Sequence, residues 1–393
     1  MRARALRLVV FSHKPCWRSA SSPSGYATDG GFPFQMAALS ELFESTCLVV
    51  PCSLPEDRAG GAPLVGHHLS VAPLSPLFGR GIMRKLGFPF WTLGNGRTIL
   101  KSFGSADAVH TPIPGDVGTV GMVLAAVGGK RLFVRHCGDW SRRKTVAEVF
   151  WRWFIESFAD GRNLMLATGG AEAPPSARNH EIRWIFSTSL KESELVDCGV
   201  VHEPPGEGRA RLIIACRQER EKGTGVAIES LPLILNDFPQ ATLDVVGDGG
   251  ALAEFREQAR SLGLNGRVAF HGKVGHDRVT DLFREADLFC YPTSASEGFP
   301  KVVLEALACG VPVVTTRVSV LPRLIEEGGG VLLDEATPAA VASAVKACLA
   351  DAGHYQDLSR RAVQTASQYS LERWRDTIGD LLRERWGPLR PHD

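Results

Sequence analysis

From residue 211 onward, short runs of β-branched and apolar residues recur, and most of them are separated by stretches of helix length. The runs read RLIIACR, ATLDVVGDG, RVAFHG, ADLFCYPT, VPVVTT and GVLLD. Between them, residues 225–235 and 251–262 carry apolar side chains at the spacing of an amphipathic helix. Strands that alternate with helices predict a parallel sheet covered by helices on both faces.

The first half of the chain repeats this rhythm less regularly. Its apolar runs read LRLVVFS, STCLVVP, ADAVHT, KRLFVRH, NLMLAT and IRWIFST. The pattern therefore predicts an α/β protein with two tandem Rossmann-like, doubly wound domains that face a cleft. The segment EPPGEG at 203–208 interrupts both periodicities and predicts the domain boundary. The predicted parts are a first domain at 1–204, a second at 205–370, and a C-terminal helix within 371–393 that packs back toward the first domain.

Composition narrows the classes of partner. The chain has 393 residues, of which 44% are hydrophobic, so it can bury the cores of two ordinary domains. Its 44 Lys and Arg residues nearly balance 43 Asp and Glu residues, and a formal charge of +1 offers no overall field for holding nucleic acid.

Cysteines and apolar runs bear on location. The nine cysteines contain no C-x-x-C pair, so we expect free thiols in a reducing compartment and no structural metal. The apolar run near the N-terminus is too short for a secretory signal and predicts a first β-strand. No run reaches the length of a membrane span, and the cytoplasm is the expected location.

Ligands of doubly wound sheets bind beyond the carboxyl ends of the strands, so the loops after strands hold the candidate residues. The first such loop lacks the G-x-G-x-x-G fingerprint, which argues against a nicotinamide or flavin cofactor. It is a long polar loop that ends in Gly30 and Gly31 before a predicted helix. The glycine pair indicates either a tight turn or close approach of the backbone to a ligand.

In the second domain, two cations follow the strand LIIAC. Arg217 lies at the strand end and Lys222 lies five residues later in the turn. Two cations at this place can converge on a phosphate, and a guanidinium suits bidentate contact. A solvated, charged loop is the alternative interpretation.

The segment SASEGFPKVVLEALACG, which begins at residue 294, carries two carboxylates around a predicted loop-to-helix junction. Gly298 and Phe299 would offer backbone N–H groups at the helix start, where anions bind. Glu297 beside such a site needs hydroxyl donors, and sugar hydroxyls fit that need. Glu305 lies two turns into the helix, and a buried carboxylate there requires hydrogen bonds from the protein or from a ligand.

The E-x7-E spacing of Glu297 and Glu305, followed by ALACGVPVVTT, resembles the signature of the retaining glycosyltransferases of family 4, which have the GT-B fold. The segment R-x4-K-G at 217–223, VVGDGG, FHGKV and ADLFCYPT occur in the order found in that family. The first half is similar more loosely, through Gly30, Gly31 and the histidine of RLFVRHCGDW.

The resemblance implies roles for individual residues. Arg217 and Lys222 would bind the donor diphosphate, and Glu305 would bond the ribose hydroxyls. Glu297, with the amides of Gly298 and Phe299, would hold the transferred sugar. The remaining implied roles are base contact for Gly272 and Val274, catalysis beside the donor sugar for His136, acceptor binding for Asp139, and substrate binding at Gly30 and Gly31 of the first domain, which would bind the acceptor.

The implied activity is transfer of a sugar from a nucleotide-diphosphate donor, with retention of configuration, to a polysaccharide, lipid-linked or small-molecule acceptor. No metal is expected, because the first domain has no D-x-D segment in a metal-binding context, and no separate cofactor is expected. Arg217, Lys222 and a helix N-terminus can stabilise the charge on the departing diphosphate. Two alternatives stay open at this point. One is a nucleotide-sugar epimerase on the same scaffold, and the other is a catalytically silent nucleotide-sugar binding module.

Two segments mix basic with aromatic residues. Residues 80–103 and 141–158 carry Arg and Lys among Trp and Phe, which is typical of a membrane interface and also of ordinary core packing. If the acceptor is lipid-linked, weak peripheral attachment at the inner membrane face is expected.

Overall fold

A computed structural model of the chain describes residues 5–53, 61–77, 79, 81–140, 144–170, 173–295, 298–326 and 328–390. It divides into two compact units. The first comprises Met1–Ser189 together with Leu371–Asp393, and the second comprises Leu190–Ser370.

The first unit is built on a sheet whose central strands are parallel. Its strands are β1 (Arg7–Phe11), β2 (Cys16–Arg18), β3 (Tyr26–Thr28), β4 (Ser45–Ser53), β5 (Ala62–Pro63), β6 (Leu69–Leu74), β7 (Ala108–Ile113), β8 (Arg131–His136), β9 (Leu164–Thr168) and β10 (Arg183–Ile185). The helices of this unit that precede Ser189 are α1 (Phe32–Ser40), α2 (Gly81–Gly94), α3 (Gly96–Ser105), α4 (Asp116–Val127) and α5 (Val146–Phe158). The parallel strands run in the spatial order β6-β4-β1-β7-β8-β9-β10.

The two faces of this sheet bury separate cores because successive side chains of a strand point to opposite sides. In β1, Leu8 and Val10 belong to the core that also holds α1, whereas Val9 and Phe11 belong to the core beneath α2, α3, α4 and α5. Strands covered on both faces lack a polar side, which explains their continuous apolar runs.

The long polar loop before Gly30 contains structure that the sequence pattern did not predict. Strand β2 pairs in parallel with the end of β4, and β3 returns antiparallel beside β2. Each of these strands has three residues, too few to show a period of two in the sequence. Their pairing depends on contact with β4, which buries Cys16 and Trp17.

The second unit is a parallel sheet with helices between its strands. The strands are β11 (Arg211–Ala215), β12 (Thr242–Val246), β13 (Val268–Gly272), β14 (Leu288–Tyr291), β15 (Val313–Thr316) and β16 (Gly330–Leu333). The helices are α6 (Glu192–Cys198), α7 (Thr224–Ile234), α8 (Leu252–Ser261), α9 (His276–Arg284), α10 (Lys301–Ala308), α11 (Leu321–Ile325), α12 (Pro338–Leu349) and α13 (Ala352–Ala366). The strand order is β13-β12-β11-β14-β15-β16, the doubly wound order whose direction reverses between β11 and β14.

The boundary between the units lies between Ser189 and Leu190, earlier than the predicted boundary at 204 and 205. The intervening residues pack on the second unit. The backbone N–H of His202 donates to the Ser359 hydroxyl, and Gly310 approaches the carbonyl of Val200 so closely that a Cβ would lie 2.0 Å from that oxygen. The prolines that interrupt the sequence pattern therefore lie within the second unit.

The last helix, α14 (Leu371–Trp386), belongs to the first unit. Its buried side chains Trp374, Ile378 and Leu382 join the core that holds α1. The Leu6 backbone N–H donates to the Leu389 carbonyl, so the chain after α14 also contacts the start of β1.

Candidate functional site

A cavity of about 450 Å³ opens at the point where the strand order of the second unit reverses. That volume lies in the range of small-ligand sites, and the reversal point is where doubly wound sheets bind ligands. The lining residues come from strand ends, the loops after them and two helices; they are Ala215, Cys216, Arg217, Lys222, Val246, Gly247, Asp248, Lys273, Val274, Val279, Tyr291, Val302 and Glu305.

The ends of β11 and β12 come together closely on one side of this cavity. Gly247 has a φ of 116°, and a Cβ at this position would lie 1.9 Å from the carbonyl oxygen of Cys216. Only glycine fits both the backbone conformation and the contact. The backbones of Cys216 and Gly247 therefore lie close together where they line the cavity.

Three cationic side chains border the cavity. Arg217 follows β11, Lys222 ends the 3₁₀ turn Arg220–Lys222, and Lys273 follows β13. Arg217 and Lys273 are exposed, and within the described part of the chain neither forms an ion pair. Three cations at one cavity favour a ligand with more than one negative charge, such as a diphosphate.

The turn that carries Lys222 is held in place by the loop after β14. The carbonyl oxygen of Glu221 accepts hydrogen bonds from the Thr293 hydroxyl at 3.0 Å and from the Ser294 backbone N–H at 2.9 Å. These contacts join the loops after β11 and β14, the two strands on either side of the reversal point.

Gln218 is a buried polar residue beneath the cationic loop, and the sequence pattern did not predict its importance. Its Nε2 donates to the carbonyl oxygens of Cys216 and Val246, at 3.1 and 2.9 Å, and its Oε1 accepts from the Thr224 hydroxyl at 2.8 Å. The side chain is completely buried. It therefore fixes the loop carrying Arg217 to the end of β12 and to the start of α7.

A Gln218→Leu variant is expected to lose about 2–3 kcal/mol of unfolding free energy, because it removes two hydrogen bonds to the buried carbonyls of Cys216 and Val246 and one from the buried Thr224 hydroxyl. Urea denaturation followed by circular dichroism measures this loss. The control is Gln258→Leu, since Gln258 is half-exposed on α8 and its change should stay below about 1 kcal/mol. Equal losses in the two variants would contradict the assigned role.

Glu305 faces the cavity from α10. Val302, one turn earlier, also lines the cavity, whereas Val303, Leu304 and Ala306 are buried in the core. Burial raises the pKa of the Glu305 carboxyl, and the positive charges of His276 and Lys301 oppose this shift. Within the described residues the carboxylate accepts no hydrogen bond, so a ligand with hydroxyl donors would satisfy it.

Of the residues predicted for donor binding, Arg217, Lys222, Val274 and Glu305 share this cavity. Gly272 ends β13 with a φ of 65°, directly before the lining residue Lys273.

Other predicted donor-binding residues lie elsewhere. Gly298 and Phe299 precede α10 and do not line the cavity; the Phe299 ring packs 5.8 Å from the ring of Tyr369. Glu297 lies outside the described residues.

The other predicted residues belong to the first unit. His136 ends β8 and is 6% exposed, with its ring edge-on to Trp140 at 5.4 Å. Burial lowers the pKa of His136, so the imidazole is neutral at pH 7. Gly30 has a φ of 69° and Gly31 is the residue before α1.

A buried contact connects the start of α1 with the end of β8. The Oε1 of Gln35 accepts from Nη2 of Arg135 at 2.9 Å, and Nε2 of Gln35 donates to the carbonyl of Thr188 at 2.8 Å. The Arg135 guanidinium also stacks over the Trp374 ring at 4.8 Å. These contacts hold the Arg135 side chain on the face of the sheet that packs against α1 and α14, whereas the ring of His136 packs against Trp140 of the other core.

Comparison with known proteins gives a family for the part of the chain that carries the cavity. Residues 202–365 match the profile of the family described as "Glycosyl transferases group 1". This segment contains every residue that lines the cavity.

Curated relatives match over part of the chain. A glycogen synthase of Mycobacterium tuberculosis is 31% identical over 197 residues, which are 48% of this chain and 47% of the relative. A D-inositol 3-phosphate glycosyltransferase of Arthrobacter sp. is 33% identical over 258 residues, which are 56% of this chain and 61% of the relative. The chain thus spans about half the length of these relatives.

A solved structure matches over nearly the whole chain. HepE of Anabaena, solved in complex with UDP, superposes with a TM-score of 0.68 at 17% sequence identity, covering 96% of this chain and 99% of that protein. This likeness confirms the predicted fold class, in which two Rossmann-like α/β domains form a GT-B-type chain. Residues 202–365, which carry the cavity and its three cations, form a glycosyl transferases group 1 domain.

Proposed function

We propose that this protein is a glycosyltransferase that moves a sugar from a nucleoside-diphosphate donor to an acceptor hydroxyl. The observation that carries the proposal is one cavity that is lined by the cations Arg217, Lys222 and Lys273 and by Glu305. The cations suit a diphosphate, and the carboxylate suits the hydroxyls of a ribose. The assignment of Glu305 to the ribose follows the resemblance of the E-x7-E segment to family 4.

In the proposed reaction, negative charge develops on the diphosphate beside the three cationic side chains of the cavity. The bond between the anomeric carbon and the diphosphate oxygen breaks, which leaves negative charge on the diphosphate and oxocarbenium-like charge on the sugar. The acceptor oxygen forms the new bond on the same face of the sugar, and its proton passes to the departing diphosphate. Arg217, Lys222 and Lys273 stabilise the leaving group, which is electrostatic preorganisation.

The first unit contributes the acceptor side in this proposal. The neutral imidazole of His136 would contact the donor sugar without repelling the developing positive charge. Glu297 and the amides of Gly298 and Phe299 would hold the sugar from the loop before α10. The proposed acceptor is a polysaccharide, a lipid-linked glycan or a small molecule, and the proposed location is the cytoplasm.

No metal is required in the proposed reaction, because the three side-chain cations supply the positive charge that a divalent ion gives in other transferases. Retention of configuration follows the resemblance to the retaining family. Both properties can be measured once a donor is known, by adding EDTA and by determining the anomeric configuration of the product.

The first experiment is a thermal-shift panel of UDP, GDP, ADP and their common sugar conjugates, measured in EDTA and again with Mg²⁺. UDP comes first because HepE was solved with it. A ligand at about 100 times its dissociation constant should add about 2.7 kcal/mol to the unfolding free energy and raise the melting temperature by several degrees. Stabilisation by one base in EDTA supports the proposal.

The panel also separates the alternatives. A donor that stabilises the protein and is converted to another sugar without acceptor would indicate an epimerase. A donor that binds and is never consumed with any acceptor extract would indicate a binding module. If no nucleotide stabilises the protein in either condition, the donor assignment is wrong.

A further inference from the structure

Helices α2 and α3 present large apolar side chains to the solvent. In α2, the exposed fractions are 78% for Met83, 69% for Leu86, 77% for Phe90 and 78% for Leu93. Their spacings of three and four residues place them on one side of the helix. Leu100 of α3 is 60% exposed, so the apolar surface does not end with α2.

The inner sides of α2 and α3 are packed against the first unit. Trp91 and Ile99 are 7% and 3% exposed and pack in the core of the first unit. The Trp91 indole N–H donates to the carbonyl of Ser75 at 2.9 Å, and the Asn95 Oδ1 accepts from the Ser75 backbone N–H at 2.9 Å. Because the inner side is fixed in this way, the outer apolar side faces solvent in the folded protein.

The charged side chains that α2 and α3 themselves contribute have one sign. The sequence contains no acidic residue between Asp57 and Asp107. Over the same stretch, Lys85, Arg97 and Lys101 are exposed, while Arg84 turns to Asp116 of α4 at 2.7 Å. The α2–α3 surface, defined as the exposed side of residues 83–101, is therefore apolar and positively charged.

We propose that the α2–α3 surface docks on a bilayer that contains anionic phospholipids. Its apolar side chains would enter the boundary between headgroups and acyl chains, and Lys85, Arg97 and Lys101 would contact lipid phosphates. None of the described helices has the length and apolar composition to cross a membrane. This inference goes beyond sugar transfer and does not depend on the donor assignment.

Charge complementarity distinguishes this occupant from a second copy of the chain. Two copies joined through the α2–α3 surface would face each other with basic residues and no acidic partner from residues 58–106. An anionic bilayer instead supplies both apolar volume and opposite charge.

Vesicle sedimentation tests the proposal with the full-length wild-type protein. Vesicles of phosphatidylcholine alone are compared with vesicles in which about a third of the lipid is phosphatidylglycerol. We expect co-sedimentation with the anionic vesicles, at least tenfold weaker binding to the neutral vesicles, and weakening of the anionic binding by salt. Equal binding to both vesicle types, or to neither, would overturn the proposal.

Variants separate the two components of the surface. Phe90→Ser with Leu93→Ser should abolish sedimentation, and Lys85→Gln with Arg97→Gln and Lys101→Gln should weaken it on the order of a hundredfold. The control is Val196→Ser, which removes a 74% exposed apolar residue of the second unit and should leave sedimentation unchanged.

Two further readouts distinguish loss of the surface from loss of the fold. All variants should keep the wild-type melting temperature and nucleotide-induced shift, because the cavity lies in the second unit. Loss of vesicle binding in a variant with both properties intact supports the α2–α3 surface. A lipid-free dimer by light scattering that Phe90→Ser with Leu93→Ser dissociates would assign the surface to a second copy and overturn the proposal.

Discussion

An Arg217→Ala variant is expected to bind the stabilising nucleoside diphosphate about 10- to 150-fold more weakly than the wild type. Arg217 borders the cavity and, within the described residues, has no acidic partner, so its charge is available to a ligand. A hydrogen bond to a charged group contributes about 1.5–3 kcal/mol, which corresponds to this range of affinity. Isothermal titration calorimetry measures the dissociation constant.

Arg220→Ala is the matched control for this prediction. Arg220 lies in the same loop, pairs with Glu254 at 2.8 Å, and does not line the cavity. Its removal should change the dissociation constant less than threefold, because it breaks an exposed ion pair. The corresponding nucleoside monophosphate should lose less affinity than the diphosphate on Arg217→Ala. Equal effects of the two arginine variants would contradict a diphosphate contact at Arg217.

A Glu305→Gln variant is expected to have opposite effects on stability and on binding. Burial raises the pKa of Glu305 in the folded protein, so the folded state binds its proton more tightly than the unfolded state. Unfolding free energy then falls as pH rises from the ordinary carboxyl pKa of about 4.3 through the raised value. Above that window the ionised wild type carries an unsatisfied carboxylate, and the neutral amide should make the variant more stable.

Binding should change in the other direction. If Glu305 accepts hydrogen bonds from ligand hydroxyls, Glu305→Gln should weaken nucleotide binding tenfold or more at pH values above the raised pKa of Glu305. The difference from the wild type should shrink as pH falls through the raised pKa, since both proteins are then neutral at this position. Because the ligand phosphates titrate equally in both experiments, the difference isolates Glu305.

Glu254→Gln controls for a general effect of removing a carboxylate, because Glu254 is half exposed and lies outside the cavity. Denaturation and calorimetry over a pH series, extended above the window in which the wild type loses stability, give both quantities for each protein. A Glu305→Gln protein that is less stable than the wild type above that window, or that binds nucleotide equally well there, would contradict the assigned role.

The regular strands were predictable from the sequence because they are buried on both faces. In the second half, each predicted apolar run contains a strand of the structure, from β11 at Arg211–Ala215 to β16 at Gly330–Leu333. A strand covered by helices on both sides needs apolar residues at consecutive positions. Such a run can be recognised in the sequence without knowing which strands lie beside it. The helix predicted at 225–235 likewise corresponds to α7 at Thr224–Ile234.

Features that depend on pairing or burial were not predictable. Strands β2 and β3 exist because they pair beside β4, and three residues show no usable pattern. The unit boundary lies before the Pro-rich segment because residues after Leu190 pack on the second unit. The sequence did not single out Gln218, because there it is one polar residue in a charged loop. Its role is evident only from the three hydrogen bonds that its buried amide forms in the fold.

The residues of the candidate site likewise divide into those that could be selected from the sequence and those that could not. Arg217, Lys222 and Glu305 could be selected from the sequence because they follow strands or face one side of a helix in segments that resemble a known family. Lys273, in the same motif as Gly272 and Val274, was not selected; its position after β13 makes it the third cation at the cavity.

The α/β class, the repetition of strand and helix, and the loops in which charged residues follow strands can all be read from the order of the residues alone. These are local properties, set by side-chain burial and by turn residues along one stretch of chain. That Arg217, Lys222, Lys273 and Glu305 border a single cavity is known only from the folded chain. The reason is the strand order, which reverses between β11 and β14 and so brings together loops that are far apart in the chain.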